Sequence, residues 1–364
     1  MSLVLWLVYG LFAVVAVTNR LFMTRPGRRQ VGAKIVVLIP ARDEEDNLKK
    51  LLPVLVPQAP VYVFDDESRD NTAAVAFELG ATVVRSQEKL IQGWTGKNRA
   101  CHLLGQAAMA TDAEWFLFID ADVQTKPDFI EAVRWLCSQT RQRPNQGDDA
   151  KGPVGVITGF PTVIPGRGIE PLFLGWVGWI LLATNPFGLV SRTGKGHNRF
   201  TNGQFHCWRR DVYERLLPNE AVRHHVLEDV MMGRLLAKHK VQVEVANVSE
   251  VLSVHMYDTW RETLDGMSKN SYEIMGSAGG TYAVALLLFA IGWLWLLAPW
   301  TYLAFVVSGL AVASIVRGPR IGYLVVPFTL PLVLTVGSYT LVRSVAWRRK
   351  GTVVWKGRTY GSPQ

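Results

Sequence analysis

Three long stretches without charge are the feature that most constrains how this chain folds. Residues 1–18 carry no charged side chain, and neither do residues 281–316 or residues 321–342. About 20 apolar residues cross the hydrocarbon core of a bilayer as one helix. The first stretch therefore predicts one spanning helix, and the second predicts a hairpin of two. We expect a multi-pass cell membrane protein, with an N-terminal transmembrane anchor over residues 1–20 and C-terminal membrane helices over residues 281–345.

The N-terminal stretch is not typical of a signal peptide, because it lacks a basic first segment and is followed by no small-residue cleavage site. Several arginines, the first of them Arg20, follow it directly. By the positive-inside rule this end faces the cytoplasm, which predicts a cytoplasmic domain over residues 30–275. The cysteines fit a reducing compartment, since they are few, widely spaced and form no metal-type pair. They are Cys101, Cys137 and Cys207.

The third uncharged stretch leaves the membrane topology open. It is interrupted by Pro327 and Pro331 and followed by a basic tail over residues 346–364. If residues 281–316 form a hairpin, a full crossing by residues 321–342 would put the basic end outside, against the charge rule. Either the last stretch is re-entrant or an earlier one does not cross.

The formal net charge of +9 raises the question of a nucleic-acid partner. The basic residues cluster beside the apolar stretches instead of forming one stripe interleaved with aromatic residues. Attraction to anionic lipid head groups explains that placement more simply. We expect a membrane partner and no nucleic acid.

The middle of the chain alternates strand and helix patterns. Such alternation predicts an α/β domain with right-handed crossovers and a mostly parallel sheet. The predicted strands cover residues 35–39, 61–64, 82–85 and 115–119, and the predicted helices cover residues 47–55, 72–79 and 97–110.

Carboxylates follow three of the predicted strands. They are Asp65 with Asp66, Asp120 with Asp122, and the acidic segment 42–46. Ligands of open α/β sheets bind beyond the carboxyl ends of the strands, so these groups are expected to converge on one edge. A purely structural role in turns and helix caps is the alternative for any one cluster.

Several motifs, in this order along about residues 34–272, resemble the inverting family 2 glycosyltransferases. The resemblance implies a GT-A fold, which is a Rossmann-like, mostly parallel α/β sheet, with N- and C-terminal transmembrane helices added in this chain. Within the family the chain looks most similar to membrane-anchored hopene-associated and carotenoid (diaponeurosporenoate-type) glycosyltransferases. The motifs are IPARDEE (39–45), DDESRDNT (65–72), GWTGKNRA (93–100), DAD (120–122), NGQFHCWRRDVY (202–213), LED (227–229) and WKGRTY (355–360).

The chemistry of sugar transfer indicates why the D-x-D carboxylates are needed. A nucleotide sugar, here expected to be a UDP-hexose, loses a diphosphate, and a hard divalent cation can neutralise that charge. We expect Mg²⁺ or Mn²⁺ to bind Asp122. Asp120 is expected to reach the ribose or the metal through water, on the same side as Asp122 by strand alternation.

The resemblance also implies a set of donor-binding residues. Lys97 is expected to contact the diphosphate or the base as a point charge, with an ordinary surface lysine as the alternative. Glu67 stands where many relatives have glycine, so which of Asp65 and Asp66 faces the nucleoside stays open. The donor-binding set is Pro40, Ala41, Glu44, Asp65, Asp66, Lys97, Asp120, Gly203 and Gln204.

Two adjacent carboxylates at a predicted helix start are the candidates for acid–base work. Attack by an acceptor hydroxyl needs a carboxylate base on the face of the sugar opposite the diphosphate. By the resemblance Asp229 is that base and Glu228 positions it. The alternative is that the pair only complements a helix N-terminus.

The acceptor is expected to be a lipid or isoprenoid-type molecule. Residues 169–190 are strongly apolar, yet a spanning helix there would separate Asp229 from Asp122, so we predict an interfacial helix. A buried core helix is the alternative. Residues 256–273 lack the Q-x-x-R-W motif of processive relatives, which favours a single transfer.

Two other classes of protein fit part of the pattern. A nucleotidyltransferase shares the sheet, the D-x-D pair and the metal, but has less use for Asp229. A non-catalytic membrane scaffold of the same fold would bind nucleotide without turnover, and the presence of both Asp122 and Asp229 argues against it.

Overall fold

The chain divides into two compact units, which are described separately here. The sheet unit comprises Thr24–Pro161 and Thr193–Val254, and the helical unit comprises Met1–Met23, Thr162–Arg192 and His255–Gln364. A computed structural model describes residues 2–27, 32–86, 90, 92–141, 153–193, 198, 200–316, 325–349, 353–355 and 358–360.

The sheet unit contains nine of the strands. They are β1 (Ile35–Ala41), β2 (Val61–Asp65), β3 (Thr82–Val84), β4 (Trp115–Ile119), β5 (Val123–Thr125), β6 (Val156–Phe160), β8 (Phe205–Arg209), β9 (Val243–Asn247) and β10 (Leu252–Val254), with β7 (Thr162–Val163) at the start of the next segment of the helical unit. Its helices are α2 (Glu45–Leu55), α3 (Thr72–Glu78), α4 (Gly96–Met109), α5 (Phe129–Arg141), α8 (Arg210–Leu216), α9 (Pro218–Ala221) and α10 (Glu228–Lys238).

Seven strands form one sheet in the order β3-β2-β1-β4-β8-β6-β9. Strand β8 runs antiparallel to β4 and β6, and the other neighbouring pairs are parallel. All five residues of β4 are buried, as its uninterrupted apolar sequence requires of a strand covered on both faces. This is the mostly parallel α/β sheet of the GT-A fold predicted from the sequence.

The observed elements agree closely with the predicted ones. The strand at 115–119 is confirmed at both ends, and α4 begins one residue before the predicted start. Gly80, which ends the predicted helix 72–79, has a φ of +85°, a left-handed conformation that glycine adopts without steric cost.

The helical unit consists mainly of apolar helices. All its helices together are α1 (Ser2–Phe22), α6 (Glu170–Thr184), α7 (Phe187–Thr193), the polar α11 (Trp260–Met275), α12 (Ala278–Trp293), α13 (Thr301–Val316) and α14 (Leu330–Arg349), with 3₁₀ turns at Leu294–Leu297 and Val326–Phe328 and a hairpin of β11 (Val353–Trp355) and β12 (Arg358–Tyr360). Four described helical segments are long and apolar enough to cross a membrane: Ser2–Phe22, Glu170–Thr193, Ala278–Leu297 and Leu330–Arg349.

Polar side chains join these apolar helices to one another. Trp179 Nε1 on α6 donates to Ser308 Oγ on α13 at 2.9 Å. Asn19 Nδ2 on α1 donates to the carbonyls of Leu182 and Asn185, each at 2.8 Å. Such bonds satisfy polar groups where water is excluded, and so they fix the order in which helices pack.

The last apolar stretch differs from the predicted one. The helix begins at Leu330 and continues through Arg349, whereas the prediction covered residues 321–342. Pro331 accounts for the start, because proline is tolerated only in the first turn of a helix. Residues 317–324, and within the predicted basic tail residues 350–352, 356–357 and 361–364, lie outside the described residues.

Helix α14 runs antiparallel to α12. Ser338 Oγ donates to the carbonyl of Ala285 at 2.8 Å, whereas a Cβ on Gly292 would lie 3.3 Å from the carbonyl oxygen of Pro331, nearer the start of α14. The basic end of α14 therefore lies beside the beginning of α12. Arg348 on this end stacks over the Tyr272 ring of α11, with 5.6 Å between its guanidinium carbon and the ring centroid.

Candidate active site

Lys97 lies at the centre of a carboxylate cluster in the sheet unit. Its Nζ lies 2.8 Å from Asp120 Oδ1 and 3.0 Å from Glu228 Oε1. The three side chains are 19%, 25% and 12% exposed, respectively, so they interact in a largely desolvated environment. Lys97 belongs to the first turn of α4, Asp120 follows β4, and Glu228 opens α10. Three segments distant in sequence are thus joined by one ammonium group.

The second carboxylate of α10 is held by backbone groups. The Gly203 N–H donates to Asp229 Oδ2 at 3.3 Å, and the Val230 N–H donates to Oδ1 at 2.7 Å. Thr201 Oγ1 donates to the Asp229 carbonyl at 2.6 Å. The orientation of the Asp229 carboxylate is therefore set by the turn before β8 and by its own helix.

Gly203 lies next to Lys97, Glu228 and Asp229. A Cβ at this position would lie 3.2 Å from Glu228 Oε1, 3.3 Å from Lys97 Nζ and 3.7 Å from Asp229 Oδ2. A larger residue would occupy the space between the ammonium and the two carboxylates. The neighbouring Gln204 is half-buried, and its backbone N–H donates to Asn202 Oδ1 at 3.1 Å.

Burial and charge shift the protonation of the cluster. Burial raises the pKa of Glu228, Lys97 opposes that rise, and Asp229 adds to it. Burial also raises the pKa of Asp229, again against the effect of Lys97. Burial disfavours the charge on Lys97, yet Asp120 and Glu228 outweigh it and hold the pKa of Lys97 well above its ordinary value. Lys97 is therefore a permanent cation beside carboxylates with raised pKa values.

His206 lies on β8 but is not a candidate base. Burial, followed by the charge of Lys97, lowers the pKa of His206 to about 3. Trp208 Nε1 donates to its Nδ1 at 2.8 Å, and its ring stacks on Phe118 with centroids 5.0 Å apart. An imidazole with this pKa is neutral and too weak a base for proton transfer near neutral pH.

The predicted donor-binding residues of β1 and β2 lie at the carboxyl ends of adjacent strands. Ala41 is in register with Asp65, and Pro40 is in register with Phe64. Asp65 Oδ2 lies 3.7 Å from Arg85 Nε, and Asp66 Oδ2 lies 3.8 Å from Arg42 Nη1. Both carboxylates are mostly buried and both face an arginine, so the choice between them as the nucleoside contact stays open.

The loops that follow β1 and β2 hold each other. The Asp43 N–H donates to Ser68 Oγ at 3.0 Å, and the Arg69 N–H donates to Asp43 Oδ1 at 2.7 Å. Buried Glu44 accepts from Asn47 Nδ2 at 2.6 Å. Glu67, the departure from glycine, has a φ of +58°, which explains why glycine suits this position.

The D-x-D pair lies in a turn and not on a strand end. Strand β4 ends at Ile119 and β5 begins at Val123, so strand alternation does not apply to Asp120 and Asp122, and that argument was wrong. Ala121 between them is buried, whereas Asp122 is exposed. Because β4 is parallel to β1, this turn lies at the edge of the sheet where β1 and β2 also end.

The carboxylates of the D-x-D pair are suitable ligands for a magnesium or manganese ion that also binds the phosphates of a substrate. Asp120 and Asp122 offer hard oxygen ligands, and Mg²⁺ commonly binds one or two carboxylates together with phosphate oxygens. Among the described residues no group of three or more His, Cys, Asp or Glu side chains could hold a metal. The phosphates of a donor would have to complete the coordination.

Two contacts that organise this site were not predicted from the sequence. Asn98, next to Lys97, is fully buried, and its Nδ2 donates to the carbonyls of Val222 and His225, each at 3.0 Å. The second contact is the pairing of Lys97 with Glu228. Only the T-x-x-N spacing of Thr95 and Asn98, typical of a helix start, hinted at a role for this turn.

Comparison with known proteins identifies the class of the domain. Residues 36–134 match the family model described as Glycosyl transferase family 2. The chain therefore carries a family 2 glycosyltransferase domain, and the prediction from the ordered motifs is confirmed.

The curated relatives agree with the resemblance to the carotenoid-type enzymes. The chain is 26% identical over 261 residues to 4,4'-diaponeurosporenoate glycosyltransferase of Staphylococcus haemolyticus (strain JCSC1435), covering 69% of this chain and 65% of the relative. It is 26% identical over 254 residues to the protein of the same name from Staphylococcus aureus (strain MRSA252), covering 68% and 62%. The match thus spans somewhat under two thirds of these relatives.

Solved structures with a similar arrangement were also found. Glucosyl-3-phosphoglycerate synthase from Mycobacterium tuberculosis in complex with Mg²⁺ and uridine diphosphate matches with a TM-score of 0.44 and 19% identity, over 70% of this chain and 84% of that one. S. aureus TarS 1–349 matches with a TM-score of 0.42 and 12% identity, over 91% and 100%.

Proposed function

We propose that the protein is an inverting, non-processive glycosyltransferase that moves a sugar from a nucleotide donor to a hydrophobic acceptor at a membrane surface. The observation that carries the proposal is the cluster in which Lys97 joins Asp120 to Glu228, with Asp229 held beside it. A D-x-D carboxylate and a candidate base are needed on opposite sides of one donor sugar. The family 2 domain over residues 36–134 supports this reading.

Asp229 is the general base in this proposal. The acceptor hydroxyl gives its proton to the Asp229 carboxylate while its oxygen forms a bond to the anomeric carbon. The bond from that carbon to the diphosphate breaks on the opposite face, and the leaving oxygen keeps the electron pair. An α-linked donor would give a β-glycoside. A raised pKa makes Asp229 a stronger base than an ordinary aspartate, which favours proton removal near neutral pH.

Lys97, Glu228 and Gly203 prepare this base. The Gly203 N–H orients one carboxylate oxygen, and Lys97 fixes Glu228 next to it. Because Lys97 also contacts Asp120, the donor side and the acceptor side of the site are linked by one cation. Preorganised groups of this kind lower the barrier because they need no rearrangement during the reaction.

Asp122 and Asp120 are the proposed ligands of Mg²⁺ or Mn²⁺. The ion would supply positive charge to the departing diphosphate. The donor is proposed to be a UDP-hexose, with its nucleoside against Pro40, Ala41, Glu44 and the Asp65–Asp66 pair. Gln204, beside the cluster, is proposed to contact the donor.

The acceptor is proposed to be a lipid or isoprenoid-type molecule. The chain has apolar helices with exposed side chains, such as Leu3 and Leu286, each 70% exposed, and such surfaces are stable in a bilayer. The relatives named for 4,4'-diaponeurosporenoate support a lipophilic acceptor. We further propose that residues 1–20 and 281–345 anchor the protein in the cell membrane, that residues 169–190 lie at its surface, and that residues 30–275 face the cytoplasm.

Transfer in membranes tests this function directly. Membranes containing the protein are incubated with labelled UDP-glucose, UDP-N-acetylglucosamine or GDP-mannose and Mn²⁺ or Mg²⁺, and label in the organic extract is counted. Asp122→Ala and Asp229→Asn are expected to abolish metal-dependent labelling, whereas Asp112→Asn, at an exposed carboxylate paired with Lys34, is the matched control. Release of pyrophosphate from a nucleoside triphosphate, supplied with a sugar phosphate in a parallel incubation, would instead indicate a nucleotidyltransferase, and no turnover of any donor would contradict the proposal.

A further inference from the structure

The first turn of α4 forms hydrogen bonds with the backbone segment that leads into α10, and these bonds are called the grip on that segment. Asn98 Nδ2 donates to the carbonyls of Val222 and His225, each at 3.0 Å, and the Thr95 N–H donates to the Arg223 carbonyl at 2.8 Å. Three carbonyls within four consecutive residues are thus bound by one helix turn. We propose that Asn98 is a positioning residue that sets the place of Glu228 and Asp229, an inference that rests on the proposed function.

The first turn of α10 receives no hydrogen bond from the side chain of its own N-cap residue. Its N-cap residue is Leu227, whose apolar side chain cannot accept the hydrogen bonds of the first helical turn. By contrast, Thr95 caps α4, accepting the Asn98 N–H at 3.3 Å. The firmly capped helix therefore holds the segment before the helix that carries the candidate base.

The chemistry of Asn98 suits this task and no common substitute does. The side chain is fully buried, and its Oδ1 has no hydrogen-bond partner in the described part of the chain. A buried acceptor without a partner costs stability, so the side chain is not optimal for folding alone. An aspartate would set a carboxylate against carbonyl oxygens, and an alanine would remove the donor.

The geometry connects Asn98 to the reacting groups through its neighbours. Lys97, the preceding residue, contacts Glu228, which lies only three residues after His225. Loss of the Asn98 bonds would remove the contacts that hold the carbonyls of Val222 and His225, and this would let Glu228 and Asp229 shift relative to Lys97. Misplacement of reacting groups by about 1 Å can cost roughly 100-fold in rate.

The test compares Asn98→Ala with Asn247→Ala in the full-length protein in detergent. Asn247 is also buried, and its Oδ1 accepts from the Ser249 N–H at 3.1 Å, but it lies at the end of β9 and not in the site. Three quantities are measured for each variant: hydrogen exchange of residues 222–230, binding of UDP with Mn²⁺, and sugar transfer from UDP-glucose. Asn98→Ala should speed exchange in that segment, keep UDP binding within about twofold, and lower kcat by roughly 10- to 100-fold. Asn98→Gln displaces the amide by one methylene group, and it is measured with the same expected changes if the alanine variant fails to fold.

Each alternative result has a definite meaning. If hydrogen exchange at residues 222–230 is unchanged in Asn98→Ala, the Asn98 hydrogen bonds do not hold this segment in place. Faster exchange with an unchanged kcat would overturn the role of Asn98 in positioning the reacting pair. A wild-type protein that transfers no sugar would contradict the proposed function, whereas the exchange comparison would still decide whether Asn98 fixes the segment.

Discussion

Lys97 Nζ and Glu228 Oε1 lie 3.0 Å apart, although 131 positions separate the two residues in sequence. The pair joins the first turn of α4 to the first turn of α10. Because Lys97 is also bound to Asp120, it acts as the counter-charge of both sides of the candidate site.

Replacing Lys97 by methionine should destabilise the protein and reduce sugar transfer. The change leaves Asp120 and Glu228 without their buried cation, which should lower the free energy of unfolding by about 3–5 kcal/mol. Denaturant unfolding measured by tryptophan fluorescence checks this. The matched control is Lys34→Met, since Lys34 forms an exposed pair with Asp112 and its loss should have no measurable effect. Equal stability of the two variants would contradict the prediction.

On acidification, the kcat of sugar transfer should begin to fall at a higher pH than it would if the base were an aspartate of ordinary pKa. Burial raises the pKa of Asp229, with Lys97 opposing. Only the unprotonated carboxylate acts as a base, so kcat is lost as the pH falls through that raised pKa, above the usual value of about 3.9. The profile of kcat from pH 4 to 9 measures the midpoint.

The same raised pKa values fix the sign of the effect on stability. A carboxyl group with a raised pKa binds protons more readily in the folded state, so Glu228 and Asp229 favour folding below their folded pKa values and less so above them. Loss of activity toward acid should therefore precede unfolding. Tryptophan fluorescence recorded over the same pH range is the control for unfolding. A midpoint of the kcat profile at or below the pKa of an ordinary aspartate would rule out Asp229 as the base.

Asp122→Ala should abolish the metal dependence of nucleotide binding. If Asp122 shares the ion with the donor diphosphate, the variant should bind UDP with the same low affinity whether or not Mn²⁺ is present. Titration calorimetry with and without Mn²⁺ measures this. Asp112→Asn should keep the full effect of the metal, and a metal effect that survives in Asp122→Ala would move the ion elsewhere.

Gly203→Ala should impair turnover more than folding. The added Cβ would lie 3.2 Å from Glu228 Oε1 and 3.3 Å from Lys97 Nζ, so these side chains must shift by a few tenths of an ångström. A loss of roughly tenfold or more in kcat is expected from such a displacement. Gly32→Ala is the matched control, because a Cβ there meets no atom within 4 Å. Similar kcat values for both variants would show that Gly203 is not needed at the site.

Labelling of introduced cysteines should place the beginning of α12 and the end of α14 on the same side of the membrane. Helices α12 and α14 are antiparallel, so Ser277→Cys and Arg349→Cys should react with an impermeant maleimide from the same side, and Trp300→Cys from the other. The native thiols are buried, which limits background labelling. Reaction of Ser277→Cys and Arg349→Cys from opposite sides would contradict this topology.

The fold was largely predictable from sequence because periodicity reports burial. The uninterrupted apolar run at 115–119 predicted β4 correctly, and the positions of Asp65 and Asp120 after strands predicted a shared edge. The contacts that complete the site were not predictable, because they join distant positions. Asn98 and the carbonyl of His225, for example, are 127 residues apart. Strand alternation failed for Asp120 and Asp122 because a turn begins there.

The loops after β1 and β2 are tied to each other through Asp43, Ser68 and Arg69. In the proposed function these loops bind the nucleoside, and they would lose little further conformational entropy on binding it, because these bonds already restrict both backbones. A ligand that meets such a surface spends little of its interaction energy on ordering the protein. The loops after β1 and β2 should therefore bind the nucleoside with little change in conformation. The affinity for the nucleotide should change little in a variant that lacks the Asp229 carboxylate.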